Sequence, residues 1–337
     1  MKPQRTIILY HQYCPDGWCA LAIADLFYAT QNGTKPLYVG VIAGKTNAAV
    51  NKLIAEENPR STVYSFDLTF EYYPAKKLLN HFQGVIYDHH LSTESCYRQP
   101  EEESDEEFAK TQTLFNKCLI YDKSISGATL AWNAFFPTKP IPLLAKYVQD
   151  RDLWSWTLPD SKEVNAGLSE TLVTTVIGDN LSQYDYNALK VREWSKYLLT
   201  DDWLEEAKLK GGIILSIITR SIKSSYRDGD DRIINGQKVR VCNTNMYMSD
   251  LGNYICQTYD ESSDKKYKYD YAVLWRYDHN RDIVYVSMRS RKDEVDVSKI
   301  AECFEYIDKN GEKSKGGGHQ PAAGFEITLE KFFEWIK

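Results

Sequence analysis

The chain has 337 residues, which at about 150 residues per domain suggests two domains or one large one. Its 41 Lys and Arg against 47 Asp and Glu give a net charge of −6, and 43% of residues are hydrophobic and 26% charged. That composition excludes a disordered chain, and the acidic balance excludes holding long nucleic acid by blanket phosphate neutralisation, so any phosphate must be met at a local site, with metal.

The predicted elements alternate from the start. Arg5–His11 (RTIILYH) reads as a strand and Asp16–Thr30 as a helix; Lys35–Val41 is a strand and Asn47–Asn58 a helix; Ser61–Asp67 is a strand, Pro74–Phe82 a helix and Gly84–Asp88 a strand. This alternation predicts βαβ units, hence a parallel sheet with helices on both faces. The chemistry of such sheets collects at the carboxyl ends of the strands, where His11, Asp67 and the triplet Asp88-His89-His90 fall. The acidic block Glu101–Glu107 reads as a solvated loop. Helices are expected over Ser126–Phe136 and from Leu143 into Gln149-Asp150-Arg151-Asp152-Leu153-Trp154, followed by a helical pattern from about residue 160 to 228. A second α/β module begins near Ile233, with strands Lys238–Asn243, Tyr271–Tyr277 and Ile283–Arg289 and a helix at Ser298–Phe304. A glycine-rich turn at Gly316-Gly317-Gly318-His319 and a C-terminal helix at Leu329–Ile336 complete it.

The seven cysteines, at 14, 19, 96, 118, 242, 256 and 303, include no Cys-x-x-Cys pair. They read as reduced thiols of a cytosolic protein rather than as a zinc knuckle. No apolar run approaches the ~18 residues of a membrane span, and Met1–Arg5 does not open a signal peptide.

His11, Asp16, Asp67, Asp88, His89, His90, Asp150 and Asp152 are the candidate site residues. Imidazoles with carboxylates suit Mn2+ and related divalent ions. Two such ions sharing a bridging carboxylate form an arrangement suited to attack on phosphorus, although the spacing alone leaves a mononuclear site or a structural histidine pair open.

At these residues the chain resembles the DHH phosphoesterase superfamily. Tyr87-Asp88-His89-His90 resembles its signature, and His11-Gln12-Tyr13-Cys14-Pro15-Asp16-Gly17 its first motif. Phe66-Asp67 resembles the second motif and Asp150-Arg151-Asp152-Leu153-Trp154 the fourth. Gly316 to Phe325 (GGGHQPAAGF) resembles the glycine-rich motif of the associated DHHA1 domain, and Val286-Ser287-Met288-Arg289-Ser290-Arg291 its arginine-bearing strand. The motifs follow family order over residues 11 to 325 and are similar to those of nano-RNase and oligoribonuclease-like members.

The resemblance implies roles. His11 would ligate a first metal, Asp67 would bridge, and Asp16 and His89 would ligate the second. Asp150, first in its motif, would complete that set, with Asp152 the alternative and a structural pair with Arg151 open for either. His90 would face the scissile phosphate, supported by Asp88. Cys14 departs from the usual first motif, where many members carry an aspartate. It would act as a thiolate ligand favouring Zn2+, or leave the first metal more water, or only pack.

In the second module, Gly317 and Gly318 would expose backbone amides to an anion in a tight turn. His319 would donate to a phosphate or stack on a base. Arg289 and Arg291, two apart on a predicted strand, would share one face and bind phosphate. Tyr247, Tyr254 and Trp275 could stack on bases, but none is assigned.

The expectation is therefore an α/β protein with a parallel-sheet catalytic domain at 1–155, a helical connector at 156–232 and a smaller mixed α/β DHHA1 domain at 233–337. It would be a cytoplasmic phosphodiesterase carrying two divalent ions, Mn2+ before Mg2+, Co2+ or Zn2+. It would cleave short oligonucleotides or dinucleotides to nucleoside monophosphates by attack of a metal-activated hydroxide. It would engage neither long duplexes nor membranes, and its oligomeric state is open, a dimer included. Two rivals stand: a phosphoanhydride hydrolase acting on polyphosphate or pyrophosphate, and a degenerate nucleotide-binding protein.

Overall fold

The run Ile7-Ile8-Leu9-Tyr10 is buried on both faces, as a central strand of a parallel sheet requires. Ile8 and Tyr10 enter one core, with Trp18, Leu21 and Ile23 of the first helix, while Ile7 and Leu9 enter a second, with Val50, Leu78 and Phe115. The period of two thus splits one strand between two layers of helices.

This computed structural model describes residues 2–31, 34–42, 44–174, 191–260, 266–291, 294–307 and 313–337. The described chain forms two units, Met1–Ile214 and Leu215–Lys337. The first contains strands β1 (Thr6–His11), β2 (Leu37–Val41), β3 (Thr62–Phe66), β4 (Gln83–Asp88) and β5 (Leu119–Tyr121), and helices α1 (Pro15–Thr30), α2 (Thr46–Glu56), α3 (Tyr72–His81), α4 (Asp105–Cys118), α5 (Gly127–Phe135), α6 (Leu143–Asp152) and α7 (Ser161–Thr174). Its five strands are all parallel in the order β2-β1-β3-β4-β5. That order reverses direction between β1 and β3, which is where ligands bind in doubly wound sheets.

Three of the seven residues of the acidic block expected as a loop are helical. Ser104 caps α4, its hydroxyl accepting from the Glu107 amide at 3.4 Å, and Asp105-Glu106-Glu107 form the first turn. Carboxylates there are favoured by the partial positive charge of a helix N-terminus.

The stretch expected as a connector divides between the two cores. Val164, Leu168, Trp194, Trp203 and Ala207 pack in the first core with Trp18 and Ala145. Ile222, further along α8 (Leu204–Arg227), packs with Cys242, Leu251 and Ile255 in the second unit. Its portion at 175–190 lies outside the described residues.

The second unit contains β6 (Asp230–Ile234), β7 (Gln237–Asn243), α9 (Met248–Cys256), β8 (Tyr271–Asp278), β9 (Ile283–Ser290), α10 (Val297–Ala301), β10 (Glu305–Ile307), β11 (Lys313–Lys315), β12 (Gly317–His319), β13 (Ala322–Ile327) and α11 (Leu329–Trp335). Six strands form one mixed sheet in the order β12-β13-β9-β8-β7-β6; β7 and β8 are parallel through the α9 crossover, the connection that parallel neighbours need.

The glycine triplet is not a free turn. Gly317–His319 is an edge strand paired with Ala322–Gly324. A Cβ on Gly316 would lie 2.1 Å from the Ala301 carbonyl oxygen, and one on Gly318 (φ 146°) 2.5 Å from that of Ala322. Glycine is required here by close backbone approach, and the chain reverses one step later, at Gln320-Pro321.

All seven cysteines are unpaired. Among the described residues, no helix is long and apolar enough to cross a membrane.

Candidate metal centre

Strand register brings the site together. Tyr10 pairs with Phe66 and Phe66 with Tyr87, so His11, Asp67 and Asp88 leave three adjacent strands at one edge of the sheet. Asp67 sits in the left-handed region (φ 58°), a strained conformation that aspartate tolerates better than most residues. Its amide bonds the Tyr87 carbonyl at 3.2 Å.

Asp16 comes from the first turn of α1, which Pro15 starts. A Cβ at Gly17 would lie 2.4 Å from the His11 carbonyl oxygen, so only glycine lets α1 pass that close to the end of β1. The fully buried Asp16 carboxylate accepts the Gly127 amide at 2.5 Å and the Ala128 amide at 3.0 Å. A side chain at Gly127 would meet Asp67 Cβ at 2.6 Å and the Asp16 oxygen at 2.8 Å. The start of α5 thus aims Asp16 while leaving room for Asp67. Sequence reasoning missed this contribution, although Ser126-Gly127-Ala128 ahead of a helical pattern is a legible cap signal.

His89 Nε2 lies 3.2 Å from Asp67 Oδ1, 3.3 Å from Asp152 Oδ2 and 3.7 Å from Asp16 Oδ2. One ring nitrogen carries at most one proton and cannot satisfy three carboxylates. Across Asp67, His11 Nδ1 and Asp67 Oδ2 face each other at 3.5 Å, and neither has a hydrogen-bond partner. Orphaned buried polar atoms are costly, and a cation between them removes the cost. Three donor sets, each within 4.8 Å, can be drawn: His11-Cys14-Asp67, Asp67-His89-His90 and Asp16-His89-Asp152. Nitrogen and oxygen donors of this kind fit divalent ions such as Mn2+.

The electrostatics agree. Burial, with the charges of Asp67 and Asp152, pushes Asp16 well above the usual carboxylate range; burial and Asp67 raise Asp152. Burial opposes ionisation of Asp67, but the facing His11, the hydrogen-bonded His89 and the nearby His90 outweigh it and hold this carboxylate low. Several negative groups so close retain protons until a cation displaces them.

His90 donates from Nδ1 to Asp88 Oδ1 at 2.7 Å, and the Thr93 hydroxyl donates to the other Asp88 oxygen. The buried Asp88 thereby turns His90 Nε2 toward Asp67, 3.9 Å from Oδ1. Cys14 places its sulfur with His11 and Asp67 and 4.0 Å from Asp152 Oδ1. Burial, with the charges of Asp67, Asp16 and Asp152, holds this thiol well above its ordinary pKa.

Two expectations are corrected. Asp150 does not join the cluster; Asp152 takes its place. Asp150 accepts the Thr157 amide and hydroxyl, each at 2.8 Å, and the Leu158 amide at 3.2 Å, so its carboxylate staples the loop after α6. Positions two apart on a helix face about 200° away from each other, so Asp150 and Asp152 cannot serve the same site. In the second unit, Arg291 lies past the end of β9 and is committed to structure. It pairs with Glu294, donates to the Cys256 and Tyr269 carbonyls, and lies 4.3 Å from the Tyr267 ring centroid.

Arg289 keeps softer partners: the Ser287 and Ser249 hydroxyls and the Met288 carbonyl. Ala322 pairs with His319 on one side and with Arg289 on the other. Directly paired residues share a face, so His319 and Arg289 stand about 10 Å apart across three strands, with only a methyl group between them. Gly317 and Gly318 lie beside His319 on the same edge strand.

Residues 239–337 match the DHHA1 domain family. The chain is 25% identical over 342 residues to the uncharacterized protein R106 of Acanthamoeba polyphaga mimivirus, covering 97% of this chain and 68% of that protein. Among solved structures it is similar to exonuclease RecJ bound to manganese, with 16% identity, 98% of this chain and 88% of that chain covered, and a TM-score of 0.51. It is also similar to the pGpG-specific phosphodiesterase PggH of Vibrio cholerae, with 10% identity, 98% and 96% covered, and a TM-score of 0.50. These likenesses show the fold: a parallel-sheet DHH unit followed by a mixed-sheet DHHA1 unit.

Proposed function

We propose that this chain is a divalent-metal-dependent phosphoric ester hydrolase that cleaves short oligonucleotides or dinucleotides to nucleoside monophosphates. The observation that carries the reading is the convergence of His11, Asp16, Asp67, His89 and Asp152 on one sheet edge, with His11 Nδ1 and Asp67 Oδ2 buried and unpartnered. In this reading His11 and Asp67, beside Cys14, hold one ion, and Asp67, Asp16, His89 and Asp152 hold the other. Bound there, two divalent ions supply an activated water and neutralise charge on the phosphoryl oxygens. The protein's own contribution is positional. Asp67 serves both sites, the α5 amides fix Asp16, and Asp88, accepting from Nδ1 and outweighing the burial that opposes charge, favours the imidazolium form of His90, whose Nε2–H can donate to a phosphate oxygen. Arg289, His319 and the Gly317-Gly318 edge offer the second unit's phosphate contacts.

The manganese-bound exonuclease and the pGpG-specific phosphodiesterase that share this fold support a nucleotide substrate. So does the candidate phosphate site of the second unit, where Arg289 is the arginine left after Arg291 is paired with Glu294, since polyphosphate calls for a long basic track. The test is a substrate panel with Mn2+. Mononucleotides should be released from a labelled dinucleotide, and Asp67→Ala should lose both metal binding and turnover. Brisk phosphate release from polyphosphate with no dinucleotide cleavage would replace this reading by the phosphoanhydride one.

A further inference from the structure

The loop after α6 is built to an unusual specification. Trp154 and Trp156 both occupy the left-handed backbone region, at φ 55° and 52°, which bulky side chains rarely adopt. Such conformations persist only where the surroundings over-determine them, and here they do. The buried Asp150 receives five hydrogen bonds from this loop. Its carbonyl accepts the amides of Ser155 at 2.9 Å and Trp156 at 3.3 Å, and its carboxylate takes the Thr157 amide, the Thr157 hydroxyl and the Leu158 amide. The Trp154 amide bonds the Arg151 carbonyl at 3.0 Å.

The result is an indole held outward. Trp154 is 50% exposed, and its ring is braced edge-on by Trp156, with centroids 4.9 Å apart and planes at 74°. Asp152, two residues earlier, belongs to the metal cluster, and two residues span at most about 7 Å between Cα atoms. A flat, solvent-exposed aromatic side chain is therefore carried two residues from Asp152, at the cost of backbone strain and of leaving a large apolar side chain unburied.

We propose that Trp154 is the platform on which a nucleobase of the substrate stacks. Every base offers a π-face and stacking tolerates any sequence, whereas a polyphosphate chain has nothing to stack. The proposal rests on the phosphodiesterase reading and deepens it by naming what selects nucleotides in the first unit.

The test compares wild type, Trp154→Ala and Trp154→Phe on a dinucleotide and on the same phosphodiester lacking both bases, with melting temperatures recorded. AMP binding to the metal-free protein is measured in parallel. Trp154→Ala should raise KM for the dinucleotide roughly tenfold with little change in kcat, the typical cost of one lost stacking contact. It should leave the base-less diester unaffected and weaken AMP binding similarly, and Trp154→Phe should restore both. Equal losses on the two diesters, or unchanged AMP binding, would overturn the platform. Wild-type protein that cleaves no dinucleotide, yet binds AMP in a Trp154-dependent way, would support the platform and overturn the phosphodiesterase reading.

Discussion

His89 and Asp152 meet with 3.3 Å between Nε2 and Oδ2, linking the carboxyl end of a parallel strand to the last residue of α6. Asp150, one half-turn earlier on the same helix, points away and ties down residues 155–158. The two aspartates therefore differ in role, Asp152 standing beside His89 and Asp150 holding the loop that carries Trp154. Asp152→Asn should reduce turnover by at least about a hundredfold, as loss of a directly acting group does, with little change in melting temperature. Asp150→Ala leaves the Thr157 and Leu158 amides without their acceptor and should destabilise by roughly 1–3 kcal/mol. Thermal melts beside steady-state rates separate the two. A fully stable, inactive Asp150→Ala would return Asp150 to the metal set.

The Asp88–His90 bond predicts an orientation effect. Asp88→Asn keeps the shape but presents no full charge to His90 Nδ1. Loss of such a supporting partner typically costs about 10–100-fold in activity or metal affinity. The signature is a fall in kcat with KM nearly constant, and a rise in KM alone would place His90 away from the reacting phosphate.

Arg289 and Arg291 should part in the same way. Arg291→Ala removes an ion pair, two carbonyl contacts and a ring contact, so its main effect should be a lower melting temperature. Arg289→Ala removes a guanidinium whose partners are neutral hydroxyls and a carbonyl, and whose burial lowers its pKa. Such a group favours a bound anion, so KM should rise with stability nearly intact. Equal KM effects from both variants would put Arg291 back at the substrate.

Metal removal should leave a pH signature. Without metal, burial disfavours protonated His89, but the Asp67 hydrogen bond and the charges of Asp16 and Asp152 outweigh it and raise its pKa from 6.5 to about 9. The native protein then holds a proton that the unfolded chain releases. This contribution is complete below pH 6.5 and is lost as pH rises through about 9. Chelated protein should therefore melt progressively lower between those values, and saturating Mn2+ should flatten the slope by taking the proton's place. A flat profile for the chelated protein would contradict the three-carboxylate environment of His89.

How far the sequence could be read depended on whether the signal was local. β1 shows as an apolar run because both its faces are buried, β3 and β4 show as short strand-like segments, and His11, Asp67 and the Asp88-His89-His90 triplet show because each segment stops at them. α4 was missed because its acidic first turn looks like a solvated loop; only the Ser104 cap marks it. Met248–Cys256 was missed as a helix for want of a starting signal, its N-cap being a left-handed Tyr247 rather than a capping side chain.

By itself the sequence determined the parallel first sheet, the mixed second module and the placing of histidine and aspartate at three strand ends. Those properties depend on alternation and run length along one segment. Tertiary structure alone decided that Asp152 rather than Asp150 lies against His89, that Arg291 is spent on Glu294, and that the α5 amides aim Asp16. Each of these depends on the direction of a side chain and on a partner distant in the chain. Asp16 meets Gly127 across 111 residues, a pairing that only the packing of α5 against α1 can create.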